Sequence, residues 1–146
     1  MPTVNSFMTR DPYSVASTDS LQRAHSLMHR HSVRHLPVVD GKQLVGIIGD
    51  RDVAAVCSIP GVDLAHVEVS RVMEQPLDVR SEAQIDEVAL LMAERRRDCV
   101  VVRGASGIEG IFTSTDALRA LAALARTTNV PARGLLSERD DDAASG

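Results

Sequence analysis

The chain has 146 residues, 44% of them hydrophobic but only 2% aromatic, with no Trp. That length suits one compact unit or two very small ones, and the core must be aliphatic. The formal charge is −4, much of it in the acidic stretch Ser137–Gly146; the remainder is nearly neutral and lacks the basic face that nucleic acid requires.

In chain order, a short strand is predicted near Tyr13–Ala16. Thr18-Asp19-Ser20 offers N-cap chemistry for a helix carrying Leu21, Ala24, Leu27 and Met28 at helical spacing. That pattern ends at His31-Ser32. Leu36–Val39 and Leu44–Ile48 read as two strands joined at Asp40-Gly41-Lys42, a hairpin turn. Asp50-Arg51-Asp52 opens a second helix through Val53, Ala54 and Val56. Residues 57–71 read as a link, with a loop at Ile59-Pro60-Gly61. The order then starts again. Val79 marks a short strand, and Ser81-Glu82 starts a helix with Ile85, Val88, Ala89 and Met92. Cys99–Val102 and Ile108–Phe112 form a hairpin around Gly104–Gly107, and Asp116 opens a helix with Leu118, Leu121 and Leu124. Each unit is β-α-β-β-α, an α+β arrangement. The segment 126–146 turns acidic, and its last ten residues are expected to be disordered.

The two units are copies at a constant offset of 64 residues. Across the 42 aligned positions from Pro12 to Val53, nine are identical, among them Leu27/Leu91, Met28/Met92, Val38/Val102, Gly46/Gly110, Ile47/Ile111 and Asp52/Asp116. Background composition gives roughly two or three. Met8 and Met73 align after a one-residue slip. A unit of about 60 residues is marginal alone, so the copies are expected to share one core.

Three motifs carry a family resemblance. They are Phe7-Met8-Thr9 ahead of Pro12, Arg34-His35-Leu36-Pro37-Val38-Val39-Asp40, and Leu44-Val45-Gly46-Ile47-Ile48 closing on Asp52. The second copy has Val72-Met73, Cys99-Val100-Val101-Val102, and Gly110-Ile111-Phe112-Thr113-Ser114-Thr115-Asp116. In order, spacing and duplication these resemble the cystathionine β-synthase (CBS) domain, present as a stand-alone tandem pair of the bacterial type. The resemblance covers about residues 4–125, with copies at 4–60 and 61–125. It implies a pseudo-two-fold disc of two three-stranded sheets with helices outside, two clefts between the copies, a homodimer, and adenosine-containing ligands such as AMP, ADP, ATP or S-adenosylmethionine. It implies no catalysis and no required cofactor.

The family signature for a nucleotide cleft ends in Ser or Thr, two residues, then Asp. A carboxylate accepts hydrogen bonds from both ribose hydroxyls, and a helix start favours phosphate. Thr113, Thr115 and Asp116 complete that set. The resemblance assigns Val33, Arg34 and the segment near Ser17 to the same cleft, Val33 against adenine and Arg34 toward phosphate. Helix capping by Thr115 or Asp116 is the competing reading. The first copy departs from the signature. Gly49 lacks the hydroxyl of Thr113, and Asp98 stands where the other copy has Arg34. The cleft around Asp52, Arg51, Asp98 and Cys99 is therefore expected to be weak, empty, or suited to a less charged ligand. The alternative function is a protein-interaction module with vestigial clefts.

His25, His29, His31 and His35 fall within eleven residues, yet no second ligand group is evident and no metal site is predicted. Arg95-Arg96-Arg97 matches the helix dipole at a C-terminus. Met8, Met28, Met73 and Met92 read as core filler. Cys57 and Cys99 read as buried free thiols, in keeping with a cytoplasmic location. Neither a signal peptide nor a membrane span is expected.

Overall fold

The computed structural model describes residues 1–126. The expected disorder of the acidic tail lies outside the described residues. Three strands and two α-helices come from each copy. They are β1 (Thr9–Arg10), α1 (Leu21–His31), β2 (His35–Asp40), β3 (Gln43–Gly49), α2 (Asp50–Cys57), β4 (Asp78–Arg80), α3 (Ile85–Arg95), β5 (Cys99–Gly104), β6 (Gly107–Thr113) and α4 (Ser114–Ala125).

The helices and hairpins follow local chemistry. Ser20 caps α1 by accepting from the Arg23 N–H, and Leu21, Ala24 and Met28 are buried along one face. α1 and α3 both end on a left-handed residue that is not glycine, Ser32 and Arg96, each at φ 54°. The sharp reversal there delivers Val33-Arg34 and Arg97-Asp98 to the foot of the next strand. α3 begins at Ile85 with Gln84 as its cap, later than Ser81-Glu82 suggested. The Ser81 N–H is taken by the Arg103 carbonyl at 2.8 Å, so the chain is still extending along β5 where a helix was expected.

The copies exchange their leading arms. β1, at the head of the first copy, pairs antiparallel with β6 of the second, Thr9 against Ile111. Glu74, at the head of the second copy, bridges Ile47 on β3 of the first. The partners Ile47 and Ile111 are related by the 64-residue offset, and the arm residues Thr9 and Glu74 by that offset plus the one-residue slip seen at Met8 and Met73. Likewise β4 runs parallel to β5 with Val79 opposite Val102, and Val15 bridges Val38. The result is a four-stranded sheet, β1-β6-β5-β4, and a β2-β3 ladder with a single bridge at each edge. This replaces the two three-stranded sheets expected, because the edge strands cross between copies.

Each copy has its own helix-to-sheet core, completed by the other's arm. Val69 joins Leu21, Met28, Leu36, Ile48 and Val53. Val4 and Met8 join Val88, Met92, Val100 and Phe112. A third cluster of Leu44, Ile47, Cys99, Val101 and Ile111 lies between the two hairpins and is the shared core. The buried run Cys99–Val102 is apolar without alternation because both of its faces are covered.

The glycine repeated at 46 and 110 has a steric cause. A Cβ at Gly46 would stand 2.5 Å from Met73 Sδ, and one at Gly110 would stand 2.5 Å from the Thr9 carbonyl oxygen and 2.8 Å from Met8 Sδ. The crossing arms lie too close to these positions for any side chain. Cys57, expected to be buried, is exposed at the end of α2; only Cys99 is enclosed.

Candidate functional site

The two Asp-bearing helix starts open onto one shared cavity of about 500 Å³, within the range of small-molecule sites. It lies between the copies and draws on both. Thr113, Thr115, Asp116, Val33 and Arg34 all line it, as do Arg51, Asp52, Asp98 and Cys99. The structure thus brings together every sequence-predicted site residue except Ser17. Ser17 donates its N–H and hydroxyl to the Asp40 carboxylate at 2.9 and 2.6 Å. Asp40 ends β2 while His35 at its start faces the cavity, so six residues of extended strand separate Ser17 from the site. Asp40, held as an acceptor by Ser17, has its carboxyl pushed below the usual range.

In the second-copy half, Asp116 is only 4% exposed. Its Oδ2 accepts from the Thr113 N–H at 3.0 Å and from the Thr113 hydroxyl at 3.1 Å, and the Asp116 N–H reaches back to that hydroxyl at 3.2 Å. These bonds form a capping box and fix the carboxylate's direction. The Thr9 hydroxyl lies 3.4 Å from Asp116 Oδ2, and Arg119 Nη1 lies 3.7 Å from Oδ1. Capping and ligand contact are compatible here, because the carboxylate that caps also lines the cavity.

The first-copy half is built alike and charged differently. Gly49 N–H donates to Asp52 Oδ2 at 2.9 Å, with no hydroxyl to second it. The imidazole of His35 lies over Gly49, with its Cδ2 3.2 Å from where a Cβ would be. Arg51 reaches across to Asp98 at 3.7 Å; the equivalent positions in the other half are Thr115 and Arg34. Arg97, from the basic run, pairs with Glu74 at 3.0 Å and donates to the Gln75 carbonyl at 2.6 Å. Burial pushes His35 below its ordinary value of 6.5, against the opposing pull of Asp50, Asp98, Glu74 and Asp52. Burial also pushes the Cys99 thiol up to about 12, so it stays protonated.

Sequence reasoning missed Thr9, Glu74 and Arg119 as lining residues. Arg119 follows Asp116 by one helical turn, a spacing visible in the sequence. Thr9 and Glu74 arrive only through the arm exchange; the slipped Met8/Met73 alignment was their one signal. Among the described residues, no group of three or more His, Cys, Asp or Glu is arranged to hold a metal ion. His25 and His29 stand edge to face at 4.8 Å. Among the same residues, no helix is long and apolar enough to cross a membrane.

The fold and its two-copy cavity are those of a tandem CBS pair. The CBS domain family model matches residues 4–58 and again residues 69–123, and the chain belongs to that family. YlbB of Bacillus subtilis is 29% identical over 144 residues, covering 94% of this chain and 91% of YlbB. Inosine-5'-monophosphate dehydrogenase of Korarchaeum cryptofilum is 32% identical over 113 residues, but the match covers 76% of this chain and only 22% of that enzyme. CBSX2 of Arabidopsis thaliana, solved in complex with AMP, superposes with a TM-score of 0.70 at 28% identity, covering 85% of this chain and 98% of CBSX2.

Proposed function

We propose that this chain is a non-catalytic regulatory module that binds one adenosine-containing ligand in the Asp116 half of the cavity. The carrying observation is the charge difference between the halves. Asp116 has Arg119 beside it at 3.7 Å, whereas Asp50 and Glu74 line the cavity with Asp52; Asp98 lies between the halves, 3.7 Å from Arg51 and accepting from the Ser114 hydroxyl at 3.3 Å, and Arg34 lines the same cavity. A ribose diol suits the Asp116 carboxylate, and a phosphate suits the arginines and the start of α4. The AMP bound by the related CBSX2 supports this ligand class. Ligand bridging the copies then shifts the population of module geometries. A cytoplasmic site of action fits the two free thiols.

A homodimer is the proposed signalling state. Its support is a set of exposed leucines in the second copy: Leu90, Leu118 and Leu121 are exposed, where the first copy has Ser26, Ala54 and Cys57. The same set supports the second reading, a protein-interaction module whose clefts bind nothing.

Thermal unfolding with AMP, ADP, ATP and S-adenosylmethionine separates the two. A ligand at about 100 times its dissociation constant adds about 2.7 kcal/mol, a shift of several degrees. Asp116→Asn keeps an acceptor for the Thr113 N–H but loses the charge, and is expected to abolish the shift. Asp52→Asn is expected to leave it. No shift of the wild type with any of these compounds overturns the nucleotide reading.

A further inference from the structure

The arm exchange places one residue from each arm at equivalent points of the cavity. Thr9 pairs with Ile111, and Glu74 bridges Ile47, the two isoleucines being 64 apart in the repeat. Both side chains line the cavity. On one side the arm contributes a hydroxyl 3.4 Å from the Asp116 carboxylate. On the other it contributes a carboxylate, adding to Asp50 and Asp52.

We propose that the arm residues Thr9 and Glu74 are the specificity-determining pair, selecting which half of the cavity accepts an anionic adenosine ligand. This rests on the nucleotide-binding reading given above. Thr9 leaves the Asp116 half open to a ribose phosphate and offers its hydroxyl to the ligand. Glu74 closes the Asp52 half to phosphate by like charge. Gly49 and His35 alter hydrogen bonding in that half, but neither carries the negative charge that phosphate meets. The ion pair Glu74–Arg97 supports this assignment. It holds the carboxylate on the arm, and loss of the Glu74 charge would leave Arg97 free to meet an anion. Both arm positions are exposed, so their substitution leaves the two helix-to-sheet cores intact.

Isothermal titration with AMP on the full chain tests this, with circular dichroism melting curves confirming that each variant folds. Wild type is expected to bind one AMP per chain, sensitive to Asp116→Asn. Thr9→Glu is expected to weaken that AMP by about tenfold or more, as a like charge beside phosphate should. Glu74→Thr is expected to add a second AMP event that survives Asp116→Asn and is removed by Asp52→Asn. The uncharged Glu74→Gln should add it too, which separates charge from shape. Wild-type binding with no second event in either Glu74 variant overturns the assignment and leaves the functional proposal standing. An unchanged AMP affinity in Thr9→Glu also overturns it. A wild type silent to AMP and to adenosine removes the functional proposal, and this inference with it.

Discussion

Gly110→Ala measures how tightly the first arm is seated. In an ordinary strand the change favours Ala by about 0.5–1 kcal/mol, because the unfolded chain loses freedom. Here the added Cβ would lie 2.5 Å from the Thr9 carbonyl oxygen, 2.8 Å from Met8 Sδ and 3.0 Å from Met8 Cγ. The sulfur can swing away; the backbone carbonyl cannot move without lifting β1 from β6. Overpacking of this kind costs about 1–3 kcal/mol. The net destabilisation is then about 0.5–2 kcal/mol, and for a domain of this size it lowers Tm by roughly 2–8 °C. The assay is differential scanning calorimetry with amide exchange. Exchange should quicken at Val4, whose N–H donates to the Ala83 carbonyl, and at Asp11, whose N–H donates to the Glu109 carbonyl. Gly46→Ala is expected to cost less, since its nearest neighbour is the flexible Met73 Sδ and the nearest backbone atom, Glu74 O, is at 2.9 Å. A Tm that rises in Gly110→Ala, or exchange that quickens elsewhere and not in the arm, refutes the steric account.

Two further outcomes follow from the titratable groups. Cys57 is exposed while Cys99 is buried with its thiol pushed up to about 12, so a disulfide reagent should modify one thiol in the native protein and two in denaturant. Equal rates for both thiols would contradict the buried position of Cys99. His35 is held below its ordinary value of 6.5 by burial, so the unfolded chain takes up a proton that the folded chain resists. Stability should be full above that value and decline as pH falls below it, down to the lowered folded value; His35→Gln should flatten this part of the profile. A stability curve of unchanged slope in His35→Gln would rule this out.

Much of the fold was legible because each copy repeats its local instructions. The α1 cap at Ser20, the Asp40-Gly41-Lys42 turn and the two apolar runs of each hairpin all use short-range chemistry, and they formed as read. The start of α3 was misplaced because Ser81-Glu82 has capping composition while its backbone is committed to β5. The arm exchange was illegible for a different reason. β1 spans two residues and its counterpart is a single bridge, far too short for any alternation to register. At the candidate site, Thr113, Asp116, Arg34 and Asp98 were recognisable from spacing and resemblance. Ser17 lies away from the cavity because its match to Ser81 reflects the far end of the hairpin, where it serves Asp40. Thr9 and Glu74 depend on contacts about 100 and 27 residues away in the chain, to Ile111 and Ile47, and no local pattern records such a partner.

The crossing of the arms also bears on what half of this chain would be. A lone copy would hold a hairpin edge waiting for an arm and an arm without an edge. Two identical lone copies would satisfy each other by the same crossing, giving a symmetric pair with two identical recesses. Covalent fusion of such a pair removes the demand that both recesses be alike. One can then keep a hydroxyl while the other collects carboxylates; on the nucleotide-binding reading proposed above, these become a receptive pole and a refusing pole about one axis. That polarity gives any bound molecule a defined orientation on an otherwise near-symmetric frame.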